Sequence, residues 1–414
     1  MLNATEVQLL LEIQRLGSGT RASMGRLLGC SPATVFRASE GLVAAGWIED
    51  TPIDEAKVGR PAGRMTIRPS AAYFLAMHVS ADRTVISIID AALGVVASET
   101  KVVDLHHLGP EDLLDTLDPS VGAMLAAHEL AWSDVRAVAM ALAGRTEFEA
   151  GRPVTPPNLP LWHGHPLREE MSERWGLPAV LDNDANLMAL GEGLRGGARE
   201  VQDYLYVNLD VGIGAGLVLD GRVYRGSKGF SGELGHTTVG ESTTLCACGK
   251  RGCLQAVASM PAILERAKAA AARDRDGELA QMLRRDHRLR ILDVETAAAG
   301  GDEGAARVIA EAGTAIGSVL SGAVNLLNPN LIILGGGATA LGAGLLSSIR
   351  RAVARDTLPG SAQGLRIGLT ELGDRAALIG GAALALGTIV GSSVVTSNER
   401  RPTQSLYATA PTSG

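Results

Sequence analysis

Three cysteines and one histidine are the residues whose types and spacing most directly suggest chemistry. Cys246, Cys248 and Cys253 lie in a glycine-rich segment, and His236 precedes the first of them by ten positions. Three thiolates and one imidazole form a four-ligand set that suits a tetrahedral structural zinc ion. Such a closed set leaves no open position on the metal, so we expect a structural and not a catalytic role.

The spacing of these cysteines leaves two alternatives to zinc. A single residue separates Cys246 from Cys248, which is tighter than usual for zinc, but Gly249 and Gly252 supply the sharp turns that would return the third thiolate to the metal. The alternatives are a disulfide, or three buried thiols that bind nothing. The first residues lack a basic segment and a cleavage site, so we expect a cytoplasmic protein, in which clustered thiols favour metal.

Three short motifs in this region together resemble the ROK family (repressors, uncharacterised open reading frames and sugar kinases). They are GIGAG (212–216), GELGH (232–236) and CACGKRGC (246–253), and the resemblance extends over nearly the whole chain. It implies an α/β protein with an actin-like, sugar-kinase type (ribonuclease H-like) two-lobed body. It also implies a zinc site made of one histidine and three cysteines.

The resemblance further assigns sugar contacts. A hexose offers several hydroxyls, each a donor and an acceptor, so converging carboxylates, amides and an imidazole suit it. Gln255 stands where the family usually has glutamate, which leaves the identity of the sugar open. The alternatives are purely structural: an Asx-rich turn that caps a helix at 182–186, and a surface turn at 232–236. The implied sugar contacts are Asn158, Asn183, Asp184, Glu233, His236 and Gln255.

The loops that hold nucleotide phosphates in kinases of this family are altered. His78 stands where the kinases have the aspartate of the first loop, and Ser-Ala-Asp at 80–82 replaces two glycines and a threonine. In the second loop, Asp210 and Val211 replace a glycine and a threonine. The aspartates place negative charge where phosphate would bind, and amide groups approach phosphate closely only at glycines. We therefore expect the protein not to be an enzyme.

One observation supports the alternative, an ATP-dependent sugar kinase with a DNA-binding appendage. Asp184 is retained, and in a kinase it would be the general base that takes the proton of the attacking hydroxyl. The segment LIILGGGAT (331–339) also resembles the adenine-side motif of the fold, although a turn from strand to helix needs glycine in any case.

The first seventy residues have the pattern of a separate, small helical unit. Apolar residues recur at helical spacing in 9–16, and Thr20 caps a short second helix. After a tight turn at 29–31, Ser31 and Pro32 begin a third helix that Gly46 ends. Helices at this spacing are typical of a helix-turn-helix, whose second helix enters the major groove.

Two strands joined by a loop with two arginines follow this third helix and predict a wing. Such arginines could reach a minor groove or flanking phosphates. A small helical docking domain with solvated charges is the alternative, but the segment also resembles the winged helix at the front of ROK repressors. We expect DNA contacts from Ser31, Ala33, Thr34, Phe36, Arg37, Arg60 and Arg64.

Composition and length agree with this organisation. The chain has 414 residues and a formal net charge of −7, which excludes a wholly basic nucleic-acid coat but not one small DNA-binding module. We find no run of about 18 apolar residues and expect no membrane span. We predict a winged helix-turn-helix over 1–70, the zinc-containing body over 71–390 and a disordered tail over 391–414.

These observations predict a sugar-responsive transcription regulator, a repressor of carbohydrate metabolism genes. The resemblance points to the branch of the family that holds the xylose and N-acetylglucosamine repressors. The expected partners are double-stranded operator DNA with an inverted repeat, a sugar or sugar derivative, and a second copy of the chain in a homodimer or tetramer. A regulator that answers to a protein partner and ignores sugars is a further alternative.

Overall fold

The structure is a computed structural model in which the chain forms two compact units. Met1–Arg199 and Arg375–Gly414 form the first unit, and Glu200–Asp374 forms the second. The predicted domain boundary at residue 70 lies inside the first unit and stays a prediction. The structure describes residues 2–52, 63–154 and 160–395.

The first elements of the chain form three helices and a small antiparallel sheet. The sheet has the strand order β1-β3-β2, and its last two strands flank the predicted wing loop. This order of helices and strands agrees with a winged helix, and the DNA-binding role of these elements stays a prediction. The elements are α1 (Ala4–Leu16), β1 (Gly19–Thr20), α2 (Arg21–Leu28), α3 (Pro32–Ala44), β2 (Ile48–Pro52) and β3 (Gly63–Ile67).

Local hydrogen bonds explain where these helices begin. The Thr20 side chain accepts a hydrogen bond from the backbone N–H of Ser23, and the Ser31 side chain accepts one from that of Thr34. Both caps satisfy amide groups that a helix start leaves without partners. Gly29 ends α2 in the left-handed conformation with φ +62°, so the chain can turn sharply into α3.

A five-stranded sheet forms the centre of the first unit. Its strand order is β6-β5-β4-β7-β10, with antiparallel pairs on one side of β4 and parallel pairs on the other. The elements are β4 (Tyr73–Val79), β5 (Arg83–Asp90), β6 (Val95–Val102), α4 (Pro110–Ala127), β7 (Val135–Leu142), β8 (Thr146–Glu147), β9 (Arg152–Pro153), α5 (Leu167–Trp175), β10 (Ala179–Asn183) and α6 (Asp184–Arg195).

The second unit repeats this topology. Its sheet has the order β13-β12-β11-β14-β15, again antiparallel on one side of the central strand and parallel on the other. This repetition defines the actin-like, sugar-kinase type body. The elements are β11 (Tyr204–Leu209), β12 (Ile213–Leu219), β13 (Arg222–Val223), α7 (Leu254–Ala258), α8 (Met260–Arg273), α9 (Glu278–Asp286), α10 (Ile291–Ala299), α11 (Glu303–Leu327), β14 (Leu331–Gly335), α12 (Gly342–Asp356) and β15 (Arg366–Leu369).

The last helix, α13 (Arg375–Val395), returns to the first unit and packs against α6. A Cβ atom on Gly191 of α6 would lie 2.1 Å from the Ala376 carbonyl oxygen, and one on Gly380 would lie 1.9 Å from that of Leu187. Only glycine allows the two backbones to approach so closely. The predicted end of the body at residue 390 falls inside this helix, and residues 396–414 of the predicted tail lie outside the described residues.

Among the described residues, one helix, α11, is long and apolar enough to cross a membrane by length and composition. However, 61% of the most apolar 18-residue stretch of this helix is buried inside the protein. Its small residues Gly313 and Gly317 lie against Leu345, Ile349 and neighbouring residues of α12. These glycines allow α11 and α12 to pack closely within the chain.

Candidate functional site

The structure brings the four predicted metal ligands together. The ligand atoms of His236, Cys246, Cys248 and Cys253 all lie within 4.8 Å of one another. Cys248 Sγ lies 3.7 Å from Cys253 Sγ, and Cys246 Sγ lies 3.8 Å from His236 Nδ1. The four residues form a cluster that could hold a metal ion.

These distances fit a tetrahedral zinc ion. Two thiolates bound at the usual zinc–sulfur length would stand about 3.8 Å apart. The observed sulfur–sulfur distance of 3.7 Å matches that edge. The turns that the sequence predicts at Gly249 and Gly252 are present, with φ of +86° and +79°. Cys30, by contrast, lies in the turn before α3, where its thiol donates to the Leu28 carbonyl.

The thiols of the cluster differ in how readily they lose a proton. Burial and the neighbouring thiols raise the pKa of Cys253 to about 12. Burial acts in the same direction on Cys248, but the backbone N–H of Lys250 and the two other thiols hold the pKa of Cys248 below its ordinary value. A metal must displace the thiol protons, so binding to this cluster weakens as the pH falls.

Close backbone packing positions the residues of the GELGH motif. A Cβ atom on Gly232 would lie 1.8 Å from the Ala215 carbonyl oxygen, and one on Gly235 would lie 2.2 Å from that of Ile213. The motif is therefore held directly against β12. His236 turns Nδ1 toward Cys246, and its Nε2 lies 3.7 Å from a carboxylate oxygen of Glu233. A carboxylate beside a ligating histidine fixes the ring orientation.

Gln255 has a partner in the same unit. Its side-chain oxygen accepts a hydrogen bond of 3.2 Å from the backbone N–H of Ile213. The amide oxygen therefore faces the glycine-rich turn before β12. Together with Glu233 and His236, this residue belongs to the second unit, and its contact with a sugar stays a prediction.

The other two described sugar candidates lie where β10 ends and α6 begins. The Asn183 side chain caps α6 by accepting from the N–H groups of Ala185 and Asn186, and its Nδ2 donates to the Gly144 carbonyl. Asp184 is 6% exposed. The Asx cap that the sequence allowed as an alternative is thus present at Asn183, while a sugar contact at Asp184 stays a prediction. Asn158 lies outside the described residues.

The structure adds one contact that sequence reasoning missed. His78 of β4 is 3% exposed, and its Nε2 lies 3.8 Å from a carboxylate oxygen of Asp184. Neither ring nitrogen of His78 makes a hydrogen bond within the described part of the chain. The residue that replaces the kinase aspartate therefore faces the residue that a kinase would use as its general base.

Asp210 occupies amide groups at the second altered loop. Its carboxylate accepts hydrogen bonds from the backbone N–H of Val211, at 2.8 Å, and of Gly337, at 3.3 Å. Gly337 belongs to the glycine-rich turn after β14. Backbone amides at glycine-rich turns are the groups that bind phosphate oxygens in other proteins. In this chain the Asp210 carboxylate accepts the hydrogen bonds of two such amides.

The burial of α3 shows which of its predicted DNA-contact residues are accessible, and their contact with DNA stays a prediction. Ala33, Phe36 and Arg37 are exposed, whereas Val35 and Leu42 are buried in the core. Among the remaining DNA candidates, Ser31 and Arg64 are exposed, Thr34 is half-buried and bonded to Ser31, and Arg60 lies outside the described residues. The Arg21 guanidinium lies over the Phe36 ring, 5.1 Å from its centroid. This cation–π contact holds the ring on the surface.

A winged helix followed by a duplicated α/β body with a histidine–cysteine cluster defines the class of protein. The body has a sugar-kinase type of fold. The ROK family model matches residues 86–388. The chain belongs to the ROK family.

Known proteins resemble this chain to different extents. The xylose repressor of Caldicellulosiruptor bescii is 26% identical over 367 residues, which cover 89% of this chain and 91% of the repressor. The glucokinase of Halalkalibacterium halodurans is 32% identical over 271 residues, which cover 65% of this chain and 81% of the kinase. The crystal structure of a ROK family transcriptional regulator, a homolog of the Escherichia coli Mlc protein, superposes with a TM-score of 0.77. It is 26% identical and covers 93% of this chain and 98% of its own.

Proposed function

We propose that the protein is a sugar-responsive, DNA-binding transcriptional repressor of carbohydrate metabolism genes. The observation that carries this proposal is the exposed α3 of a winged helix in the same chain as a sugar-kinase type body. The likeness to a xylose repressor supports it, because that likeness covers 89% of the chain, whereas the glucokinase likeness covers 65%. The protein acts in the cytoplasm on an inverted-repeat operator, as a homodimer or tetramer.

The second candidate, a sugar kinase, is disfavoured by both altered loops. Asp184 is retained, but His78 faces it in place of a metal-binding carboxylate. Asp210 already occupies the amides of Val211 and Gly337, and its charge repels phosphate. The body therefore binds a sugar without transferring phosphate to it. In the first unit, Asn183 and Asp184 are the proposed sugar contacts, and in the second unit Glu233, His236 and Gln255 are.

The metal of the histidine–cysteine cluster is zinc in a structural role. Four protein ligands close the coordination shell, so no position remains for a substrate. The ion would fix the segment between His236 and Cys253, which joins the GELGH motif to α7. Zinc here supplies folding free energy and takes no part in chemistry.

A thermal-shift experiment on the zinc-loaded protein tests the proposed function. We expect one sugar among D-xylose, D-glucose and N-acetyl-D-glucosamine to raise the midpoint by about 5 °C at a hundred times its Kd. ATP with magnesium should leave the midpoint unchanged. A clear shift with ATP, and phosphorylation of the sugar in a coupled assay, would establish the kinase instead. A protein that no sugar stabilises, but that captures a protein partner, would be a regulator of another kind.

Replacing Arg37 by alanine tests the placement of the DNA contacts. Because Arg37 is exposed on α3, its loss should weaken binding to a selected operator duplex about 10-fold. If Arg37 binds a phosphate, the slope of log Kd against log salt concentration should also fall by about one, because one fewer counterion is released. Fluorescence anisotropy at several salt concentrations measures both effects. Sugar affinity should not change, and unaltered DNA affinity would show that α3 is not the recognition helix.

A further inference from the structure

Helix α6 connects a predicted sugar contact with the winged helix. Its first residue, Asp184, follows the last residue of β10, and its last residue is Arg195. A helix of this length spans about 17 Å. The two ends of one stiff element therefore lie at two different functional regions of the first unit.

The far end of α6 is bonded to the backbone of α1. The Arg195 guanidinium donates to the Gln14 carbonyl of α1, at 2.8 Å, and to the Ala92 carbonyl in the turn between β5 and β6, at 3.1 Å. Arg199, just past the helix, donates to the Leu16 carbonyl at 3.3 Å. Two arginines thus hold the last turn of α1, which is the first helix of the winged helix.

The middle of α6 cannot slide independently of its neighbour α13. The backbone contacts at Gly191 and Gly380 leave no room for even one methyl group between the two helices. Helix α13 also packs against α1. A displacement of α6 is therefore transmitted to α1 by two routes, through Arg195 and through α13.

Helix α1 is in turn the support of the recognition helix. It packs against α3 and β3 as well as against α6 and α13, so Leu9, Leu10 and Ile13 are fully buried. The Gln14 side chain is also fully buried, and neither of its amide atoms has a hydrogen-bond partner among the described residues. Such a group is unfavourable, so this position of α1 is one that a small shift could improve.

We propose that α6 transmits sugar occupancy at Asp184 to the winged helix and that Arg195 is the positioning residue that couples the two. The inference rests on the proposed function and specifies how the sugar regulates it. A sugar that contacts Asp184 more favourably in one position of α6 shifts the population toward that position. Arg195 then moves α1, and α1 moves the helix that reads DNA.

The test compares Arg195→Ala with Arg136→Ala in the full-length, zinc-loaded protein. Arg136 is an exposed residue of β7 in the same unit and serves as the matched control. The DNA probe is a duplex selected by the wild-type protein from a random pool, and the sugar is the best binder among D-xylose, D-glucose and N-acetyl-D-glucosamine. The quantity measured is the ratio of DNA Kd values with and without saturating sugar.

We expect a wild-type ratio of about 5- to 150-fold, the usual range for such coupling. Arg195→Ala should lower this ratio about 3-fold or more while sugar affinity is retained, since the packing through α13 remains. Arg195→Lys should give an intermediate ratio, and Arg136→Ala should match the wild type. An Arg195→Ala protein with the wild-type ratio overturns the inference and leaves the proposed function standing. A wild-type protein with a ratio of one overturns both.

Hydrogen exchange supplies a readout that needs no sugar. Without the Arg195 bond, amides in the last turn of α1 should exchange faster than in the wild type, while those at the start of α6 keep their protection. Unchanged exchange in α1 would show that Arg195 does not hold this helix, and would overturn the inference independently of any ligand.

Discussion

Cys246→Ser is expected to remove zinc from the protein and to lower its thermal midpoint by about 10 °C or more. Cys246 is buried, and its sulfur lies 3.8 Å from His236 Nδ1 in the four-residue cluster. The remaining three ligands would hold the ion weakly, and the segment between His236 and Cys253 would lose the bonds that fix it. Metal analysis of the purified protein should give about one zinc per wild-type chain and almost none in the variant.

Cys30→Ser is the matched control for this experiment. Its thiol lies in the turn before α3 and belongs to no metal cluster in the described part of the chain. The control should keep its zinc and its midpoint. If Cys246→Ser also kept both, the cluster would be a group of idle thiols, which is one of the alternatives that the sequence left open.

Asp184→Asn is expected to weaken sugar binding about 10- to 100-fold. Asp184 is 6% exposed, so a sugar hydroxyl that donates a hydrogen bond to its carboxylate would be shielded from water. Hydrogen bonds to charged groups are also stronger than those between neutral groups. Asparagine keeps the shape but removes the charge and presents two donors. Isothermal titration with the sugar that gives the largest thermal shift measures the change.

Glu169→Gln serves as the control for loss of a carboxylate, because Glu169 is exposed on α5. Its sugar affinity should equal that of the wild type. If Asp184→Asn bound sugar as tightly as this control, the role of 183–184 would be confined to starting α6. The proposed contact would then have to be assigned to other residues.

The histidine–cysteine cluster could be predicted from the sequence because all of its geometry is local. Its four candidate ligands lie within 18 consecutive residues, and Gly249 and Gly252 mark the turns between the last two. The caps of α2 and α3 were predictable for the same reason, since Thr20 and Ser31 bond to amides only three residues away. Short-range hydrogen bonds leave a signal in residue type and spacing.

The contact between His78 and Asp184 could not be predicted in this way. It depends on β7 lying between β4 and β10, with His78 paired to Ala141 and Ala141 paired to Asp182. The sequence shows only that His78 replaces an aspartate. The strand order that brings it to Asp184 is set by packing across more than a hundred residues.

Arg195 was missed for a different reason. Its partners are backbone carbonyls, of Gln14 and Ala92, and every residue carries a carbonyl. Residue type therefore gives no sign of the bond. The duplication of topology was equally hidden, because two sheets can share a strand order without sharing side chains.

The discontinuity of the first unit has a consequence for synthesis of the chain. The ribosome releases the winged helix and the first sheet early, but α13, against which α1 and α6 pack, is made only after the whole second unit. The second unit is continuous and is free to fold as it emerges. A nascent chain thus lacks one support of α1 until nearly all of its residues have been translated. Prematurely ended products would lack the packing of α13 against α1 and α6.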